Sequence, residues 1–323
     1  MKIRETVQGP VPGKSSSGHE AIIVGGSFAG LSAAMQLARA RRRILVIDGG
    51  SPRNRFAEAS HGFLGHDGKA PRALLDEALR QVRAYPTVRF LQGQAVAARA
   101  SPEGFVLTLQ EGPEERGARL VLATGLRDEL PPIPGLRERW GSTVLHCPYC
   151  HGYEVRDQPL GVLANHPLSA HQALLLPDWG PTTLFTQGTL EPDAELTARL
   201  AVRGVRLERT PIVELLGEAP ALEAVRLRDG RVVPLGALFA APRTSMSSPL
   251  AQQLGCAFDE GPTGPHVRVD EKKATTVPGV FAAGDAASPL HNATLASAAG
   301  ALAGFAVHHS LTAERSQPDA RPT

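Results

Sequence analysis

The chain has 323 residues, 42% of them hydrophobic and 20% charged, with a formal net charge of +2. That length suits about two domains of ~150 residues, each with its own core. A charge so near balance argues against a nucleic-acid or membrane-surface partner, and no apolar run reaches the ~20 residues of a membrane span.

Residues 1–18 are polar and contain no apolar run of the signal-peptide kind, so they are expected to form a flexible leader. With three cysteines in the chain, the expected compartment is the reducing cytoplasm. There a CxxC is more often catalytic or metal-binding than structural. The stretch from Ala21 to Gly50 then predicts strand, tight turn, helix and strand. Ala21 to Val24 is an apolar strand, and Gly25-Gly26-Ser27-Phe28-Ala29-Gly30 is the turn. A helix runs to about Arg41, and Ile44 to Ile47 forms a second strand ending at Asp48.

This pattern is the dinucleotide-binding βαβ unit. Gly25 permits the turn, Gly30 lets helix and strand approach, and the helix N-terminus offers free N–H groups to a pyrophosphate. Asp48, roughly 20 residues past the first glycine, is placed to accept hydrogen bonds from a ribose. Ser27 replaces the usual middle glycine, the smallest departure available. The cluster Arg39, Arg41, Arg42, Arg43 reads as the solvated end of the helix.

His146-Cys147-Pro148-Tyr149-Cys150-His151 holds two of the three cysteines. Taken alone it allows a haem attachment, a zinc site, a structural disulfide or a redox-active dithiol. Haem attachment needs export and an axial ligand, and zinc normally draws ligands from a second segment. The dithiol is the reading best matched to a CxxC in a reducing compartment, because a small CxxC loop lowers the pKa of one thiol. Cys256 stands alone and is expected to be a buried small hydrophobe. Near the end, Val280 to Ala283 predicts a strand that runs into Gly284-Asp285, followed by a helix from Ala293 to Val307. His308 and His309 are expected to cap the end of that helix, or to reach a partner subunit's active site.

The ordered set GGSFAG, Ala123-Thr124-Gly125, CPYC and GVFAAGD resembles the low-molecular-weight thioredoxin reductases over nearly the whole chain after residue 18. The resemblance implies an α/β flavoprotein with two dinucleotide-binding domains. An FAD domain of 19–128 plus 248–323 is split by an inserted Rossmann-like domain of 129–247 that carries the CxxC. The cofactor implied is FAD. Asp285 would bind its ribityl chain and the following helix would face the flavin pyrimidine. Asn54, His61 and, at the start of that helix, Thr294 are further implied FAD contacts. Cys150 would be the thiol against the flavin and Cys147 the one that meets substrate.

Two departures from that family decide the expected reaction. The second nucleotide turn is Ala164-Asn165-His166-Pro167-Leu168-Ser169, without either required glycine, and Pro167 has no N–H to donate. Gln187-Gly188-Thr189 stands where arginines would grip the 2′-phosphate of NADPH. His151 stands where the reductases carry an acid after the second cysteine. It can take a proton from an incoming thiol.

The segment CPYCHGYE resembles the FAD-dependent dithiol oxidases that close the disulfides of products such as gliotoxin and holomycin. The resemblance implies a homodimer that oxidises a small or peptide dithiol through Cys147 and Cys150, then passes electrons through FAD to oxygen. Hydrogen peroxide would be released, and no nucleic acid, membrane or metal would be needed. The alternatives are a disulfide reductase fed by NADPH or by a protein donor such as ferredoxin, with a small molecule, peptide or thioredoxin-like protein as its disulfide partner, and a non-enzymatic thiol sensor.

Overall fold

The structure is a computed structural model that describes residues 18–315. The expected leader, Gly18 apart, lies outside the described residues. β1 (His19–Val24), α1 (Phe28–Arg39) and β2 (Ile44–Asp48) form the strand–helix–strand unit, with Ala21 opposite Ile44 and Val24 opposite Ile47. Successive side chains of a strand face opposite ways. Ala21 and Ile23 therefore enter one core with α1, while Ile22 and Val24 enter a second core behind the sheet. Burial on both faces is why these strands read as unbroken apolar runs.

β1 lies between β2 and Glu115–Leu122 in a seven-stranded sheet. β2 pairs outward with Val88–Gln92, and Val280–Ala282 returns to lie parallel to Glu115–Leu122. An antiparallel pair, Ala95–Ser101 and Gly104–Leu109, extends the sheet beyond Glu115–Leu122. Because the central strands run parallel, Gly25, Asp48, Ala123 and Gly284 all emerge at one edge, where ligands of such sheets bind.

A five-stranded parallel sheet draws on residues 144–240, in the order Arg206–Glu208, Thr182–Phe185, Leu160–Leu163, Ala237–Ala240, Val144–Leu145. A three-stranded antiparallel sheet from Ile212–Leu216 to Val232–Pro234 packs beside it around Phe185, Leu215 and Val225. The chain passes between the two halves along a ribbon in which Leu126–Glu129 pairs antiparallel with Arg243–Met246.

The last helix runs Ala293–Arg315, well beyond Val307, because no Gly or Pro interrupts it after Gly304. His308 and His309 therefore sit inside the helix and do not cap it. His308 Nδ1 accepts from Arg42 Nε at 3.1 Å. Arg42 also donates to Glu20 and Thr312 and is only 9% exposed, so it is a buried clasp between β1, β2 and the last helix. The reading of that cluster as wholly solvated is corrected at this residue. Burial of Arg42 is tolerable because all three partners are polar and in reach.

Candidate active site

Gly25 turns the chain at φ 111°, and a methyl on Gly30 would collide with the Gly25 carbonyl oxygen. Ser27 precedes α1 in extended backbone, and no side chain caps that helix. The N–H groups of its first turn therefore open onto a cleft of about 1230 Å³. Gly26 N donates to Asp48 Oδ1 at 3.0 Å, which fixes the acid at the cleft edge.

Gly25, Ser27, Phe28, Ala29, Asp48, Asn54, His61, Ala123, Thr124, Gly125, Gly284 and Asp285 line this one cleft, together with Cys147, Cys150 and His151. Residues from five separated stretches thus meet in one place. Gly30 does not reach the surface of the cleft, since it sits in the contact between turn and helix. Thr294 is exposed and does not line the cleft; Ala293 and Ala296 of the same helix do.

Cys147 and Cys150 are joined as a disulfide, with Cα atoms 5.3 Å apart. Cys147 caps the one-turn helix Pro148–His151, and Pro148 at its first position needs no N–H partner. Sulfurs bonded to each other are not thiolate ligands. Among the described residues no group of three or more His, Cys, Asp or Glu is placed to hold a metal. Cys256 is buried, 6% exposed, in the apolar core behind the seven-stranded sheet, and it does not line the cleft.

Three contributors to the cleft escaped sequence reasoning. Arg53 Nη1 donates to Asp285 Oδ2 at 3.0 Å, while its Nε donates to both oxygens of Asp128 at 3.1 and 3.0 Å. Burial works to lower the Arg53 pKa, but its bonds and charge contacts with Asp128 and Asp285 outweigh this and raise it. Asp285 is thereby held in place. The sequence stretch Arg53-Asn54-Arg55 contains two arginines, and nothing local tells which one turns inward.

His291 completes the floor. Its ring lies 6.4 Å from that of His146, tilted by 25°, and its Nε2 is 3.0 Å from the Ser288 carbonyl oxygen. Burial drives the His146 pKa down to about 3, with Arg53 adding to the effect, so that imidazole is neutral at physiological pH. Burial also lowers His151, against the pull of Glu154, which raises it; His61 lowers it further. His61 itself places Nδ1 3.5 Å from Glu154 Oε1 and 3.6 Å from Asp67 Oδ1.

A family model described as pyridine nucleotide-disulphide oxidoreductase matches residues 19–167 and 185–301. The chain belongs to that family. A thioredoxin reductase, tcpT of Claviceps purpurea, is 33% identical over 91% of this chain and 95% of its own. An oxidoreductase from Agrobacterium tumefaciens superposes with a TM-score of 0.88 at 50% identity, covering 91% of this chain and 99% of that one. The crystal structure of HlmI superposes with a TM-score of 0.87 at 38% identity, covering 93% and 95%.

The chain is thus a thioredoxin reductase-like flavoprotein oxidoreductase, and its cofactor is FAD. The residues present fit that cofactor. The Gly25 turn leaves room for backbone to approach phosphate, the uncapped α1 N-terminus supplies donors, and Asp285 supplies an anchored acceptor.

As a pyridine nucleotide-disulphide oxidoreductase the chain carries a second βαβ turn, after Leu160–Leu163. Here Ala164 N bonds Phe185 O at 2.9 Å, Asn165 N bonds Leu163 O at 2.9 Å, and Leu168 N bonds His166 Nδ1 at 3.2 Å. Ser169 N bonds His166 O at 2.9 Å, and the helix that follows, Ser169–Leu175, is only 7 residues long. The Asn165, Leu168 and Ser169 donors are spent inside the turn, and Pro167 has none to offer. Burial and nearby Arg243 lower the His166 pKa. At the end of Thr182–Phe185, the Gln187 side chain bonds both backbone groups of Ile212.

Proposed function

We propose that the chain is an FAD-dependent dithiol oxidase, which forms a disulfide in a small or peptide dithiol. The observation that carries this reading is the turn from Ala164 to Ser169, whose Asn165, Leu168 and Ser169 N–H groups bond within the turn and whose Pro167 has none, set against the uncapped N-terminus of α1 in the first unit. A pyrophosphate gains most from backbone N–H groups that have no other partner. With those spent, a pyridine nucleotide has little to bind, and the disulfide must exchange electrons with something else.

In this reading Cys147 takes the substrate sulfur, Cys150 is the leaving thiolate nearer the cofactor, and His151 accepts the substrate proton. FAD, when bound, supplies a two-electron acceptor for the cysteine pair and a route to oxygen that yields hydrogen peroxide. Residues 19–128 and 248–323 form the FAD-binding part and 129–247 the insert, a division supported by the separate seven-stranded and five-stranded sheets and the ribbon between them. Leu295, Leu302 and Phe305 lie half-exposed at helical spacing on the last helix, and this stripe supports a homodimer. The proposed compartment is the cytoplasm; among the described residues no helix is long and apolar enough to cross a membrane.

Disulfide reduction, with NADPH or a protein donor such as ferredoxin, is the second reading, favoured by relatives named thioredoxin reductases. One experiment separates the two. Purified protein is mixed with a panel of dithiols in an oxygen electrode, with and without NADPH. Oxygen uptake that needs a dithiol but not NADPH supports the oxidase. Rapid flavin bleaching by NADPH alone would refute it.

A further inference from the structure

We propose that Glu154 and His61 are positioning residues that complete His151 into an acid–base unit able to handle both protons of a dithiol. This deepens the dithiol oxidase reading and rests on it. His151 closes the one-turn helix Pro148–His151 and lines the cleft with both cysteines. Glu154 follows directly, its N–H bonded to the His151 carbonyl at 3.2 Å. Its carboxylate faces His61 Nδ1 at 3.5 Å, although His61 comes from a loop far earlier in the chain. The Glu154 side chain is 38% exposed, so the unit runs from the cleft that the disulfide lines to water.

Two protons leave the substrate, and one imidazole holds only one of them at a time. The first substrate thiol gives its proton to His151 as its sulfur bonds Cys147; the Cys147–Cys150 bond breaks and Cys150 leaves as a thiolate. The second thiol then attacks the first substrate sulfur, the substrate disulfide forms, and Cys147 leaves as a thiolate. Two electrons have passed from substrate sulfurs to enzyme sulfurs. The second thiol's proton needs His151 free again, so the first must depart between the steps. A carboxylate beside the imidazole stabilises the transient imidazolium and, being half in water, hands its proton on. One proton finishes on Cys147 and the other leaves at the Glu154–His61 end, with Cys150 remaining a thiolate.

The charge contacts point the same way. Burial makes His151 a weaker base, Glu154 opposes that, and His61 reinforces it. The other titratable groups facing the unit are Asp67, beside His61, and His146, beside His151.

The test is anaerobic single-turnover oxidation of dithiothreitol by the FAD-loaded enzyme, quenched with an alkylating agent, from pH ~5 to ~9, across the range where imidazoles titrate. Wild type, Glu154→Gln, Glu154→Asp and His61→Asn are compared, with flavin content confirming folding. Glu154→Gln should lower the plateau about tenfold or more, less than the ~10²–10⁴-fold of general-base catalysis itself because Glu154 acts through His151. It should also move the acid limb of the profile to lower pH, since His151 loses its neighbouring carboxylate. Glu154→Asp should recover part of the rate, and His61→Asn should move the limb the opposite way. Wild-type turnover with unshifted limbs in both variants, or with shifts in the same direction, overturns this proposal alone. A wild-type enzyme that oxidises no dithiol overturns the dithiol reading and the proposal together.

Discussion

Arg53 is the most exposed point of failure in the cleft, and Arg53→Met is the perturbation that tests it. In the native protein its guanidinium forks onto Asp128 and reaches Asp285, whose side chains are 11% and 20% exposed. Methionine fills much the same volume and donates nothing. Two carboxylates would then remain in a poorly hydrated floor with no cation between them. Removing one partner of a buried ion pair costs about 3–5 kcal/mol, mostly as the desolvation of the charge left behind. For a chain of this size that corresponds to a fall in Tm on the order of 5–10 °C.

The measurement is thermal unfolding of the FAD-free protein at neutral pH, because bound cofactor would shift both midpoints by mass action. Lowering the pH should narrow the gap, since protonated carboxylates no longer need the guanidinium. A second variant isolates the interaction. Asp128→Asn in the Arg53→Met background should cost less than the two single changes added together, by more than about 1 kcal/mol. An Arg53→Met protein that melts within about 1 °C of wild type would show that water already screens this site, and the account of Asp285 as an anchored acceptor would fall with it.

Gly30→Ala should fold poorly or emerge without bound flavin, read from visible absorbance, because its methyl meets the Gly25 carbonyl and pries helix from turn. Cys147→Ser and Cys150→Ser should each abolish dithiol-dependent oxygen uptake, whereas Cys256→Ala should retain it and lose only a little stability. His146 offers a pH test. Its folded pKa lies near 3, below the usual value of 6.5, so the unfolded chain binds a proton that the native one refuses. The stability it permits is full above pH 6.5 and declines as pH falls toward 3, so wild type should lose about 1–2 kcal/mol more than His146→Asn between pH 7 and 5 in urea titrations. The homodimer is checked by light scattering, where Phe305→Glu should favour the monomer.

Much of this protein was legible in its sequence because the signals were local. A strand buried on both faces must be apolar throughout, a tight turn that opens a helix must carry glycine, and a CxxC brings its sulfurs within reach of each other. Those demands are met within ten or twenty residues, so the βαβ unit from Ala21 to Asp48, the Gly284-Asp285 strand end and the cysteine pair could be read directly. The altered second turn was legible in the same way, since a missing glycine and an added proline are local facts.

What the tertiary structure alone decided were partnerships across long stretches of chain. Arg53 could be told from Arg55 only once Asp128 and Asp285 stood beside it. Arg42 looked like one more solvated charge until Glu20, His308 and Thr312 closed around it. His61 lines the cleft as expected of a loop there, yet its ion-pair partner Glu154 lies just past the cysteines. The last helix presents Ala293 and Ala296, and not Thr294, to the cleft. The physical reason is common to all four. A charged or polar side chain takes its meaning from what replaces water around it, and that is set by which segments the fold brings together.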